Sequence, residues 1–293
     1  MPSRTSTDLL LVTGATGHVG GTALRLLSTR LGVDRVAALA RNAERAARAV
    51  PPGVAVRIAD YDDACALAHA FEGVSRLLFV AGDGRGLDLI RQHANVIDSA
   101  AASGIEHIVF TSIVDVAEDS PFYFAPVYRD AERRLAGCGK AWTILRCGLY
   151  ADFLHSHWLA PARSTGRLVV PAGRARVAAV SRDDVAAAAA AVMACGGHRG
   201  EIHALTGPRA HAFDEIAEAA SRIGGAAIRY QPCPPTDYLQ GCWATMDDPW
   251  PHAFSTLFAA IGQGRYAATC AGVQALTGRP PEDLDAFLAR LQS

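Results

Sequence analysis

The chain has 293 residues, 50% of them hydrophobic and 19% charged, with a formal net charge of -1. That length and apolar fraction can bury one α/β core with an appendage, or two lobes sharing a cleft, and exclude a disordered chain. The near-zero charge, with arginines scattered rather than gathered, leaves no electrostatic footprint for nucleic acid or a membrane surface.

Residues 1–7 are polar and lack an apolar signal core, and the alanine-rich run from Val185 to Cys195 is too short to span a bilayer, so no membrane association is expected. The seven cysteines (Cys65, Cys138, Cys147, Cys195, Cys233, Cys242, Cys270) form an odd set without a Cys-x-x-Cys pair. This argues against a disulfide framework and a structural zinc site, and for a reducing, cytoplasmic setting. No metal-ligand set is expected.

The first predicted element is a strand over Leu9–Val12, which runs into Gly14, Gly17 and Gly20. Gly14 allows a tight turn, Gly17 lets the backbone approach a pyrophosphate, and Gly20 lets the following helix pack on the strand. Thr16, His18 and Val19 complete this turn. The helix, apolar at Ala23, Leu24, Leu26 and Leu27, offers free N–H groups and its positive dipole end to an anion. An ordinary glycine-rich turn is the alternative.

Strands follow at 35–40, 54–59, 76–80, 107–111 and 141–145, separated by helical stretches at 43–50, 62–71, 87–103 and 126–137. Apolar strands alternating with helices predict the α/β class and a doubly wound parallel sheet covered on both faces. Prolines from Pro161 onward break this rhythm and mark a smaller lobe. There a helix over 183–194, N-capped near Ser181 or Arg182, returns to the sheet, and short strands are predicted at 202–205 and 227–230.

Past the second strand stands Ala40-Arg41-Asn42 rather than the acidic residue that reads an unphosphorylated ribose. A guanidinium at Arg41 suits a 2′-phosphate bidentately, although a solvated helix-start arginine reads the same. Asp60 and Tyr61 suit an adenine amino group and its ring, or Asp60 or Asp62 an N-cap. Ala81 and Gly82, after the fourth strand, are small enough to let a dinucleotide cross the sheet edge.

These residues, together with His107-Ile108-Val109-Phe110-Thr111-Ser112, Thr143-Ile144-Leu145-Arg146, Val177–Asp184 and Leu205-Thr206-Gly207-Pro208, resemble NmrA-like atypical short-chain dehydrogenases/reductases, near their NAD(P)H:quinone oxidoreductase branch. The resemblance is dense over residues 8–150. It implies a Rossmann-type NAD(P)-binding domain over residues 1–150 and a mixed α/β substrate lobe over 151–293, with 176–206 returning to the main sheet. It also implies an NAD(P)H-dependent oxidoreductase, with Arg41 favouring NADP(H) over NAD(H).

The superfamily's Ser-Tyr-Lys trio does not align. Phe124 stands at the tyrosine position, Tyr128 at the lysine position, and Ser112 or Ile113 at the serine position. Ser112, Tyr128 and Tyr150 are the candidate catalytic groups, although a phenol without a neighbouring lysine is a weak acid. Acceptors that need little acid catalysis are therefore expected: a quinone, or an aromatic ketone with an internal hydrogen bond. A ketoreductase tailoring an aromatic polyketide and a coenzyme-binding redox sensor are the alternatives. The protein is expected to act as a monomer or homodimer.

Cys147, where the family usually has proline, is expected to pass near the coenzyme, as a packed or a reactive thiol. Tyr123, Phe124, Tyr150, His155, Trp158, Trp243 and Trp250 are candidate substrate walls. The apolar, mostly aromatic cluster from Tyr238 to Phe258, which includes Trp243, Met246 and Phe254, reads either as a lid or as the lobe's own core.

Overall fold

The computed structural model describes residues 8–292. Its order begins β1 (Leu9–Val12), α1 (His18–Leu31), β2 (Val36–Ala40), α2 (Ala43–Ala49), β3 (Ala55–Ile58), α3 (Ala64–Ala70), β4 (Val74–Phe79) and α4 (Gly86–Ala102). It continues with β5 (His107–Ile113), α5 (Ala125–Gly137), β6 (Ala141–Cys147), α6 (Ala151–Leu154), α7 (Ala160–Thr165), β7 (Arg167–Val170), β8 (Arg176–Val177), α8 (Arg182–Cys195) and β9 (Glu201–Leu205). The remainder is β10 (His211–Ala212), α9 (Phe213–Gly224), β11 (Arg229–Pro232), α10 (Pro235–Trp243), α11 (Trp250–Gly262), α12 (Gly272–Thr277) and α13 (Leu284–Arg290).

The central sheet has seven strands in the order β3-β2-β1-β4-β5-β6-β9, and β1 pairs in parallel with both β2 and β4. The chain reverses its direction of travel across the sheet after β3, the doubly wound arrangement of a Rossmann-type fold. Strands β1, β2, β4 and β5 are almost wholly buried, as residues apolar on both faces must be when helices cover both. β3 departs from the predicted apolar run. It is the edge strand, and Val56 and Ile58, which share one face, stay exposed.

Contacts divide the chain into two compact units, the first comprising residues up to 112 with 130–145 and 185–203, the second 113–129, 146–184 and 204–293. The first holds the sheet core. In the second, β7 pairs with β11 in parallel and β8 with β10 antiparallel. Its core gathers Leu154, Trp158, Leu168, Phe213, Ile216, Phe258 and Phe287.

Between α6 and α7 the helix widens into a π segment, His155–Leu159, where the Ala160 N–H reaches back to the His155 carbonyl. Pro161 follows and supplies no N–H, so the preceding turn must reorganise. The helix that returns at α8 is capped by Ser181, whose hydroxyl accepts from Asp184 N at 3.1 Å. Among the described residues, no helix is long and apolar enough to cross a membrane.

Candidate active site

In the first unit, β1 ends in a turn that favours glycine, where a Cβ would crowd Val80. Gly14 has φ +60°, and its carbonyl accepts from Gly17 N at 2.9 Å. A Cβ on Gly20 would overlap the carbonyls of Gly14 and Thr13, so α1 sits directly against the loop. Thr13 locks the turn to the neighbouring strand: its hydroxyl accepts from Val80 N at 2.9 Å, and its own N–H donates to Leu78 O.

Helix α1 begins at His18 with no side-chain cap and no acidic residue in its first turn. Gly17 and His18 are exposed, Thr16 is half-buried, and Val19 and Gly20 are buried. The helix N-terminus, its dipole and the missing Cβ atoms together fit a pyrophosphate.

Arg41 follows β2 and is exposed, within electrostatic range of Asp62 and Tyr61. Asn42 caps α2 by accepting from Arg45 N at 2.9 Å. One Asp60 carboxylate oxygen accepts from Asp62 N at 3.0 Å, and the N-cap of α3 is neither Asp60 nor Asp62 but Asp63. Tyr61 braces the site. Its hydroxyl donates to Val80 O at 3.2 Å, its ring meets Phe79 edge-on at 5.6 Å, and burial raises its pKa above the usual phenol value. Ala81 N donates to the Thr111 hydroxyl at 3.0 Å, and Gly82 is exposed beyond it.

Ser112, in the last turnless stretch of β5 within this unit, donates its hydroxyl to Glu132 Oε1 at 2.6 Å, and both residues are buried. Phe124 carries no proton and is buried by the rings of Phe122, Tyr123 and Trp250, at centroid distances of 5.7, 4.8 and 6.1 Å.

In the second unit the structure brings Tyr150 within range of both Cys147 and Tyr128. Tyr150 and Cys147 share a side-chain hydrogen bond, and Tyr128 lies within electrostatic reach of Tyr150. Burial pushes the Cys147 thiol up to about 12, and burial followed by the Cys147 neighbour holds Tyr150 well above the usual phenol value. Cys147 is only 2% exposed, and a thiol so buried stays protonated and is a weak nucleophile.

The Arg182 guanidinium stacks 5.3 Å from the Tyr150 ring centroid. As a site residue Arg182 escapes sequence reasoning: it approaches Tyr150 because Ala151 N bonds Val180 O at 2.8 Å and Arg182 N bonds the Asp152 carboxylate at 2.8 Å. The 30-residue separation between those partners follows no local period. Glu132 is likewise unsignalled, since a glutamate on an amphipathic helix reads as solvated.

The aromatic residues of this unit form a continuous row. Phe124 meets Trp250, Trp250 meets Phe254 at 5.9 Å, Phe254 meets Trp158 at 5.9 Å, and Trp158 meets Phe258 at 5.0 Å. One end is core: Phe254 and Phe258 are each 2% exposed, and buried Trp158 donates its indole N–H to Tyr238 Oη at 2.9 Å. The other end, Tyr123 and Trp250, is half-exposed. The row is thus core at one end and an available face at the other.

His155 and Trp243 stand outside this row. His155 is half-buried with its pKa lowered by burial, then by Arg163, and Trp243 is 47% exposed with His252 as its ring partner at 5.2 Å. His157 packs on Phe153 and Phe254.

Residues 14–195 match the model of an NAD(P)H-binding family. Quinone oxidoreductase 2 of Escherichia coli (strain K12) is 33% identical over 233 residues, covering 78% of this chain and 79% of that protein. A (4-alkanoyl-5-oxo-2,5-dihydrofuran-3-yl)methyl phosphate reductase of Streptomyces griseus is 33% identical over 274 residues, covering 93% and 94%. The crystal structure of Citrobacter sp. triphenylmethane reductase complexed with NADP(H) superposes with a TM-score of 0.90 at 31% identity, covering 97% of this chain and 100% of that one.

Proposed function

The chain belongs to the NAD(P)H-binding family, as an NmrA-like atypical short-chain dehydrogenase/reductase and an NAD(P)H-dependent oxidoreductase, and we propose that it reduces a flat conjugated acceptor, a quinone or an aromatic ketone, with NADPH as the preferred donor. The observation that carries this reading is the engagement of Ser112 by Glu132 together with the packed, protonless Phe124. A chain without a dedicated acid suits acceptors whose reduced form delocalises its charge. A quinone does so, because its hydroquinone anion is weakly basic and takes its proton from water.

The reduced nicotinamide, when bound, supplies the hydride. The chain's own residues do the rest. The turn from Gly14 to Gly20 holds the pyrophosphate through backbone N–H groups, and Arg41 pairs with the 2′-phosphate. Ala81 and Gly82 leave room for the dinucleotide, and Cys147 packs rather than reacts. Tyr123 and Trp250, backed by buried Phe124, offer ring faces to a flat acceptor, and the phenols of Tyr128 and Tyr150 donate hydrogen bonds to its oxygens without surrendering a proton. Quinone oxidoreductase 2 and triphenylmethane reductase, by their names, act on quinones and triphenylmethanes, acceptors of this conjugated class.

The test is NADPH oxidation with quinones and aromatic ketones, with products identified by mass spectrometry. Hydroquinone or aryl carbinol formation at catalytic enzyme concentration is expected. Coenzyme binding with no turnover of either class would remove the proposal.

A further inference from the structure

The connection between α8 and β9 carries the spacing His198-x-x-Glu201-x-His203. Glu201 and His203 are two apart on a strand, so their side chains leave the same face. His198 lies in the preceding loop and is the one non-glycine residue with positive φ among those described, at +62°. That left-handed backbone is unfavourable for a histidine unless its surroundings impose it.

The surroundings do. The His198 carbonyl accepts from Thr143 Oγ1 at 2.7 Å, Thr143 is paired with His107 Nε2 at 2.8 Å, and Gly200 N donates to Trp142 O at 2.7 Å. The loop is therefore fastened to the amino-terminal ends of β5 and β6, the sheet edge opposite the glycine turn.

This backbone directs His198 Nδ1 to 2.9 Å from Glu201 Oε2, and His203 Nε2 lies 3.0 Å from the same oxygen. The three donor atoms all lie within 4.8 Å of one another. Ligands bound to one ion at about 2.1 Å, the usual zinc–nitrogen and zinc–oxygen length, stand roughly 3.0–3.4 Å apart when adjacent. The two histidine–glutamate separations are already close to that range.

We propose that His198, Glu201 and His203 bind a first-row divalent transition-metal ion of the zinc type, a structural site that ties the α8–β9 connection to the sheet edge. Two imidazoles and a carboxylate form a ligand set suited to such an ion, with water completing its coordination. Calcium and magnesium, which prefer all-oxygen ligands, fit it poorly.

The experiment uses tag-free, chelator-treated full-length protein titrated calorimetrically with ZnCl2, and with CoCl2 followed by visible absorption. One equivalent of zinc is expected to bind, cobalt is expected to give d–d bands, and zinc should raise the melting temperature. His203→Gln and the isosteric Glu201→Gln should each weaken zinc binding by at least roughly 10–100-fold, the loss seen even for supporting partners of metal ligands. Cys195→Ser, which removes an exposed thiol three residues before His198, should bind zinc as the parent does. Should His203→Gln fail to fold, Glu201→Gln alone decides. Absence of zinc uptake, unchanged affinity in Glu201→Gln, or loss of binding in Cys195→Ser would each overturn the assignment.

Discussion

The Ser112 hydroxyl donates to the Glu132 carboxylate across 2.6 Å of protein interior. A hydroxyl committed to a buried carboxyl group braces β5 against α5 and is a poor proton source for a bound carbonyl. Ser112→Ala leaves that carboxylate short of a donor, so it should cost about 1–3 kcal/mol of unfolding free energy. Quinone kcat/KM should stay within about threefold of the parent. Chemical denaturation and steady-state kinetics on one preparation check both, and a loss of about 100-fold in turnover would return Ser112 to the chemistry.

Arg41 should read the 2′-phosphate. Arg41→Ala is expected to raise the NADPH KM by at least about tenfold, the loss of one charge-assisted hydrogen bond, and to leave the NADH value nearly unchanged. Equal effects on the two coenzymes would make Arg41 a surface residue.

The aromatic row should separate by exposure. Phe254→Ala, at a 2% exposed position, is expected to destabilise by about 3–5 kcal/mol. Half-exposed Trp250→Leu should raise the acceptor KM severalfold with a smaller change in melting temperature. Thermal melts alongside quinone saturation curves distinguish a wall from a core residue.

The pH dependence of kcat/KM should be flat from about pH 7 to pH 9. Within the second unit, burial holds Tyr150 well above the phenol value, Cys147 at about 12, and His155 and His157 below 6.5. A bell-shaped profile centred in that window would reveal an acid or base.

Stability should respond to acid through His93. Its ring lies edge-on to Phe79 and Phe110, and burial lowers its pKa from 6.5 to about 4. Above pH 6.5 the neutral ring carries no penalty. As pH falls from 6.5 toward 4 the unfolded chain takes up the proton first, so stability declines, by about 3 kcal/mol in full. Denaturation midpoints at pH 7.5 and 5 should differ less in His93→Leu than in the parent.

Much of the first unit is legible in the sequence because its geometry admits few residue types. Positive φ at Gly14 and the overlap a Cβ would make at Gly20 write themselves directly as glycines. Apolar runs such as Val36–Ala40 likewise announce strands buried on both faces. The second unit is harder to read because its order is made by distant partners. Trp158 meets Tyr238 80 residues away, so a tryptophan that reads as a substrate wall is held in the core. Tyr61, a natural cover for an adenine ring, turns its hydroxyl to the Val80 carbonyl, a relationship between strands that no local pattern encodes.

The central claim, reduction without a dedicated acid, is tested most directly by comparing NADPH-dependent kcat/KM for a naphthoquinone with that for a saturated aliphatic ketone of similar size. A positioned general acid contributes about 10²–10⁴-fold to carbonyl reduction, so an enzyme lacking one should prefer the quinone by at least about 100-fold. Comparable rates on the two acceptors would contradict the account.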